Sequence, residues 1–210
     1  MTERGSAPAA PGFIAALRRG YFPHHIAWLL DNRLRRLLIG PETLADRLPL
    51  SPSSRILEVG PGSGYFSREL IRRVPEGRLE LLDLQPEMLA KARASFGTAL
   101  PANLGCTAAD ACGDLPYADD SFDLVLLVAV LGELPRPARA LASFRRVLKP
   151  AGHLAIHEHL PDPDIIRLER LRALVEPAGF QLVRTDGPRW NYTALFEPAR
   201  PASGGEPAAL

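Results

Sequence analysis

The feature that most constrains the fold is an alternation of short apolar runs with segments of helical period, beginning at Arg55. Ile56-Leu57-Glu58-Val59 reads as a strand that runs into Gly60, and Phe66 to Val74 as a helix stopped by Pro75. Arg78 to Asp83 is a second strand. Pro86 to Phe96 is a second helix, with its proline in the first turn, and Leu104 to Ala108 is a weaker third strand. Phe122 to Val130 is a continuous apolar run, the pattern of a strand buried on both faces. Leu134, Ala138, Leu141, Phe144 and Leu148 share one face of the next helix. Pro150-Ala151-Gly152 ends it, and His153 to Glu158 is the fifth strand. Asp164 to Ala178 reads as a helix. Gln181 to Thr185 and Asn191 to Phe196 read as strands joined by a turn so short that they must pair antiparallel. Strands alternating with helices imply the α/β class and a doubly wound, mostly parallel sheet. Ligands of such sheets sit outside the carboxyl ends of the strands. The chemistry is therefore expected just after Val59, Leu82, Ala108, Val130 and Ile156.

The ends of the 210-residue chain read differently. Residues 1–12 and 199–210 are expected to be disordered, 13–50 to form an N-terminal helical cap, and 51–198 the α/β core. In the cap, Ile26, Leu29, Leu30, Leu34, Leu37 and Leu38 form an amphipathic stripe, and Pro41 to Leu48 a short helix. No apolar run could span a membrane and no secretory h-region opens the chain, so the expected compartment is the cytoplasm. A net charge of +1 gives no general attraction to nucleic acid, and none is expected as a partner. Five arginines against one acid between Phe13 and Gly40 could face an anionic acceptor or make peripheral contact with a membrane. A solvated helix face would carry them equally well. Cys106 and Cys112 are too few for a disulfide framework or a zinc knuckle. The sequence carries no signal of oligomeric state.

After the first strand comes Glu58-Val59-Gly60-Pro61-Gly62-Ser63-Gly64-Tyr65. Alternate glycines permit a sharp turn and let a ligand touch the main chain, although a tight strand–helix turn alone would also use them. A dinucleotide loop would need glycine where Tyr65 stands. A phosphate loop would need a lysine after a glycine, and neither Lys91 nor Lys149 follows one. Nineteen residues after Gly64, Asp83 ends the second strand, where a carboxylate can accept hydrogen bonds from both ribose hydroxyls. Asp110 follows the third strand, beside the Ala111 backbone N–H, a pairing suited to the amino edge of adenine.

With these residues in place, Ile56 to Glu158 resembles the core of the class I S-adenosylmethionine-dependent methyltransferases, and among them the small bacterial kind related to quinone-ring and other small-molecule enzymes. ILEVGPGSGYFS, LLDLQPEML, AADACGDLPYADDSFDLVLL and FRRVLKPAGHLAIHE carry the likeness. The resemblance implies a Rossmann-like core with an antiparallel C-terminal edge strand, S-adenosyl-L-methionine as cofactor, and in-line methyl transfer to a small-molecule acceptor. It implies that Gly60, Gly62 and Gly64 approach the amino-acid part of the cofactor and that Glu58 supports its amino group. It further implies that Asp83 holds the ribose, Leu84 packs beside the adenine, Asp110 and Ala111 read its edge, and Val128 lines the floor beneath the sulfonium. Gly132-Glu133 stands where many members carry a histidine-containing pair, which bears on the acceptor chemistry. A sensor or interaction module that binds the cofactor without turnover would keep the same loop and acids, and remains the alternative.

Candidate catalytic bases are His157 and Glu158 on the fifth strand. His157 and His159 fall on one face and Glu158 on the other. His24 and His25 open the amphipathic helix. His153, His157 and His159 lack a standard ligand spacing, and no metal is expected. Trp28, Trp190 and Tyr192 could line an apolar acceptor pocket or pack in the core.

Overall fold

The computed structural model describes residues 39–160, 162 and 164–199. The expected disorder of 1–12, the stripe up to Leu38, Trp28, His24, His25 and the tail from 200 lie outside the described residues. The elements in order are α1 (Pro41–Asp46), β1 (Arg55–Val59), α2 (Ser67–Arg73), β2 (Arg78–Asp83), α3 (Pro86–Ala94), β3 (Leu104–Ala108) and β4 (Phe122–Val128). A 3₁₀ turn at Leu131–Glu133 leads to α4 (Pro137–Val147) and β5 (Leu148–His159). α5 (Leu168–Val175), a second 3₁₀ turn at Glu176–Ala178, β6 (Phe180–Asp186) and β7 (Asn191–Pro198) are the last elements among the described residues. Three helices begin with proline in the first turn, at Pro41, Pro86 and Pro137, where its fixed φ suits the helix and its missing N–H is not needed.

The seven strands form one sheet in the order β3-β2-β1-β4-β5-β7-β6. β1 to β5 pair parallel, so the direction of winding reverses between β1 and β4. β7 is antiparallel to both β5 and β6 and lies between them. The last two strands thus form the antiparallel C-terminal edge that was expected, with β6 outermost.

Alternate residues of each strand feed two cores, one on either face. Leu57, Val59, Leu82, Val125, Leu127, Leu154 and Ile156 pack under Ala140, Leu141, Phe144 and Val147 of α4 and Leu171 and Val175 of α5. Ile56, Leu79, Leu81, Leu124, Leu126 and Ala155 pack on the other face with Leu70, Ile71, Leu89 and Ala92 of α2 and α3. Ile39, Leu44 and Leu48 join this second core, so the described part of the expected cap packs against the sheet.

Several boundaries differ from the sequence reading, and three of the shifts have a visible cause. β4 stops at Val128 because Ala129 turns left-handed, with φ 53°, and its N–H bonds the His157 carbonyl at 2.9 Å. β5 starts at Leu148, which pairs with Phe122 across a register shift, so Pro150 to Gly152 lie within a strand. α5 starts at Leu168 instead of Asp164. The Asp164 N–H is donated to Asp162 Oδ1 and the Ile166 N–H to Glu158 Oε2, and side-chain acceptors of this kind compete with the helix. No helix among the described residues is long and apolar enough to cross a membrane.

Candidate active site

The loop after β1 is held by backbone hydrogen bonds, one to β2 and one within itself. The Gly60 N–H bonds the Leu82 carbonyl at 2.8 Å and the Gly64 N–H the Pro61 carbonyl at 3.0 Å. All three glycines have positive φ, but they serve different ends. A Cβ on Gly60 would lie 2.6 Å from Val130 Cγ2, and one on Gly64 would lie 2.9 Å from the Ala92 carbonyl oxygen. A Cβ on Gly62 would meet nothing within 4 Å. Gly60 and Gly64 thus let the loop pack against the β4 exit and α3. Gly62 is the backbone left open to a ligand.

Glu58, near the end of β1, is buried, and its Oε2 accepts a 2.6 Å hydrogen bond from the Ser67 hydroxyl at the start of α2. Burial pushes its carboxyl up to about 8, against the opposing effect of that hydrogen bond. Asp83 at the end of β2 is half-buried and its Oδ1 accepts the Gln85 N–H at 2.9 Å. Its pKa is raised by burial, with the Gln85 and Leu84 N–H groups acting the other way. The carboxylate is thereby oriented, with acceptor capacity left on Oδ2. Leu84, the next residue, is 51% exposed, which is high for a large apolar side chain. Beyond β3, Asp110 Oδ1 accepts the Cys112 N–H at 2.8 Å and Oδ2 faces Arg136 Nη2 at 3.2 Å. Ala111 is buried in the core beneath α4.

The structure thus sets Glu58, Gly60, Gly62, Asp83, Leu84 and Asp110 at the carboxyl ends of three adjacent strands. Half-buried Val128 lies at the end of the fourth. The open backbone at Gly62 and the oriented carboxylates fit a ligand with a ribose and an ammonium group.

The two candidate bases are neighbours on β5 that point to opposite faces. His157 is fully buried and pairs with Val128 across β4 and with Thr193 across β7. Its Nδ1 lies 3.0 Å from Thr193 Oγ1, which also accepts from Arg47 Nη1 at 3.3 Å. Burial, then His159 and Arg47, push His157 down to about 3, so it is neutral at physiological pH and a weak base. Glu158 accepts the Ile166 N–H at 2.9 Å, and Tyr192 donates its hydroxyl to the Ile166 carbonyl. Burial, then Asp162, Glu133 and Asp164, raise Glu158 to about 7. Tyr192 is core and Trp190 is exposed. Among the described residues no group of three or more His, Cys, Asp or Glu is placed to hold a metal ion.

Sequence reasoning did not find Ser67, Val130, Arg136, Thr193 or Arg47. Val130 was read only as the end of the fourth strand, and its approach to Gly60 follows from β4 stopping at Val128 and the chain turning at Ala129. The others meet their partners only through the tertiary fold.

The family described as a methyltransferase domain matches residues 57–156. The ubiquinone/menaquinone biosynthesis C-methyltransferase UbiE of Dinoroseobacter shibae is 32% identical over 177 residues, covering 82% of this chain and 68% of that one. An arsenite methyltransferase of Halobacterium salinarum is 27% identical over 186 residues, 79% of this chain but only 46% of its own length. Among solved structures, a SAM-dependent methyltransferase from Aquifex aeolicus superposes with a TM-score of 0.74 at 22% identity, covering 84% of this chain and 98% of that one. The methyltransferase CalH, solved with SAH, superposes at 0.60 with 20% identity, covering 71% and 52%.

Proposed function

Because the chain belongs to the class I S-adenosylmethionine-dependent methyltransferases, we propose that it methylates a small hydroxylated aromatic acceptor. S-adenosylmethionine is the cofactor, and when bound it supplies a methyl group already activated on a sulfonium. The observation that carries the site assignment is the row of strand ends bearing Glu58, open Gly62, Asp83 and Asp110, with Leu84 exposed beside them. In this reading Asp83 holds the ribose diol, Leu84 packs on the adenine, and Asp110 with the Ala111 N–H reads its edge. Glu58 takes the amino group, and the glycine loop, with Val128 and Val130, shapes the space around the reacting methyl. The chain's main contribution is alignment and exclusion of water, and positioning of this kind is worth roughly 7–11 kcal/mol.

The acceptor class is suggested by the UbiE relatives, whose names place them in quinone biosynthesis. An apolar or anionic ring would suit the arginine-rich segment before Gly40 as its cover. Peripheral contact of that segment with a membrane would bring it a lipid-like acceptor. The relatives named are enzymes, so the alternative of binding without turnover gains nothing from them. The test is formation of S-adenosylhomocysteine by the full chain with 1,4-dihydroxynaphthalene, catechol or arsenite, against a control without acceptor. The reading expects labelled methyl on one of the dihydroxy rings. Methylation of arsenite alone would replace the acceptor class, and a rate equal to the control in every arm would reject it.

A further inference from the structure

Among the described residues, one of the buried polar atoms without a hydrogen-bond partner lies on the strand beside Val128. His157 Nε2 is inaccessible and has no hydrogen-bond partner among the described residues. Leaving a buried donor or acceptor unmet is costly, so such a group calls for a partner that arrives later. We propose that His157 presents a neutral Nε2–H to an oxygen of the methyl acceptor, with Thr193 and Arg47 as positioning residues. The proposal rests on the hydroxylated-acceptor reading above.

Position is the first argument. His157 and Val128 are paired residues of adjacent parallel strands, so their side chains leave the sheet on the same face about 4.8 Å apart. Val128 is the residue assigned to the floor beneath the methyl group. A group on His157 is therefore one strand away from the point of transfer, on the side away from the cofactor strands.

Chemistry is the second. Arg47 can only donate, so its Nη1 makes Thr193 Oγ1 an acceptor and polarises the threonine hydroxyl. That hydroxyl then donates to His157 Nδ1 at 3.0 Å, which leaves the ring proton on Nε2. The His159 ring, stacked at 5.3 Å and 27°, holds the plane of the imidazole. The backbone is fixed as well, because the His157 carbonyl accepts the Ala129 N–H at the turn leaving β4. A neutral N–H suits an acceptor whose oxygen must stay electron-rich. It orients a phenolic or enolic oxygen without drawing off its charge, as a lysine or arginine in the same place would. The charge of Arg47 acts through Thr193 and sets the tautomer.

The test uses the full chain with ring-¹⁵N histidine and S-adenosylhomocysteine, observed by two-bond ¹H–¹⁵N correlation, with 1,4-dihydroxynaphthalene as the probe. The expected spectrum shows His157 with Nδ1 unprotonated and Nε2 protonated, and Nε2 shifting as the probe is added. Thr193→Val should mix the two tautomers. His157→Phe should raise the KM for the probe at least tenfold while S-adenosylhomocysteine affinity stays within twofold, and His157→Gln, which keeps an N–H donor, should recover part of the loss. An Nδ1–H tautomer in the wild type overturns the proposal whatever the acceptor. If the probe is methylated but neither shifts Nε2 nor responds to His157→Phe or His157→Gln, the proposal fails and the proposed function stands. A probe that shifts Nε2 without being methylated supports the oxygen site and counts against the proposed reaction. A probe that does neither removes both for this acceptor class. The wild-type spectrum decides even if His157→Phe does not fold.

Discussion

At neutral pH the carboxyl of Glu58 is protonated, and a ligand ammonium placed beside it favours the charged form. Binding should therefore release a proton. Because the bound complex holds fewer protons than the free protein, affinity should rise with pH up to about 8 and then level off. Calorimetry of S-adenosylhomocysteine at pH 7, in two buffers of different ionisation enthalpy, measures the release directly. Glu58→Gln should abolish it and flatten the pH dependence. Asp83→Ala should cost at least tenfold in affinity with the fold intact, since charge-assisted hydrogen bonds contribute ~1.5–3 kcal/mol each. The glycines should separate by mutation. Gly62→Ala has room for its methyl, so it should lose only ~1–2 kcal/mol of stability to its left-handed backbone but weaken ligand binding. Gly64→Ala should destabilise more, because its methyl meets the Ala92 backbone. Glu58, Asp83 and Asp110 were legible because strand ends can be read from an alternating pattern. Ser67 and Arg136 were not, since a hydroxyl nine residues on and a guanidinium 26 residues on carry no local sign of their partners.

Among the elements, the segment between β5 and α5 is held by two buried side chains, Glu158 through the Ile166 N–H and Tyr192 through the Ile166 carbonyl. Tyr192→Phe should lower stability by ~1 kcal/mol in urea unfolding. Glu158 keeps a proton in the folded chain up to about pH 7, whereas the ordinary value is 4.5. Its contribution is thus full below pH 4.5 and lost as pH rises through 7. Glu158→Gln mimics the protonated form. It should leave stability at pH 4.5 nearly unchanged and raise it at pH 8, by at most ~3 kcal/mol; an equal effect at both values would assign the change to packing. β4 and β5 show where pattern reading stops. The apolar run through Val130 gave no sign that Ala129 turns left-handed, because that turn is imposed by the His157 carbonyl on the neighbouring strand. Nor could Pro150 be foreseen inside a strand, since the register shift opposite Phe122 admits it.

Across the whole molecule, alternation and right-handed crossover were enough to anticipate the parallel half of the sheet. The place of β7 was not, because a tight hairpin specifies antiparallel pairing but not which of its strands lies against β5. Ile39, Leu44 and Leu48 pack in the core on one face of the sheet. Removing residues 1–38 should keep S-adenosylhomocysteine affinity within about tenfold, ~1.4 kcal/mol, and abolish methylation of the acceptor, with circular dichroism reporting whether the remainder folds. Full turnover by a folded truncation would show that the segment does not cover the acceptor. The central claim, that the residues at the ends of β1 to β4 are built to hold S-adenosylmethionine, is tested most directly by calorimetry of the full chain with S-adenosylhomocysteine and with NAD. The account predicts micromolar binding of S-adenosylhomocysteine, about −8 kcal/mol, and NAD at least a hundredfold weaker. Tighter binding of NAD, or no heat with S-adenosylhomocysteine, would contradict it.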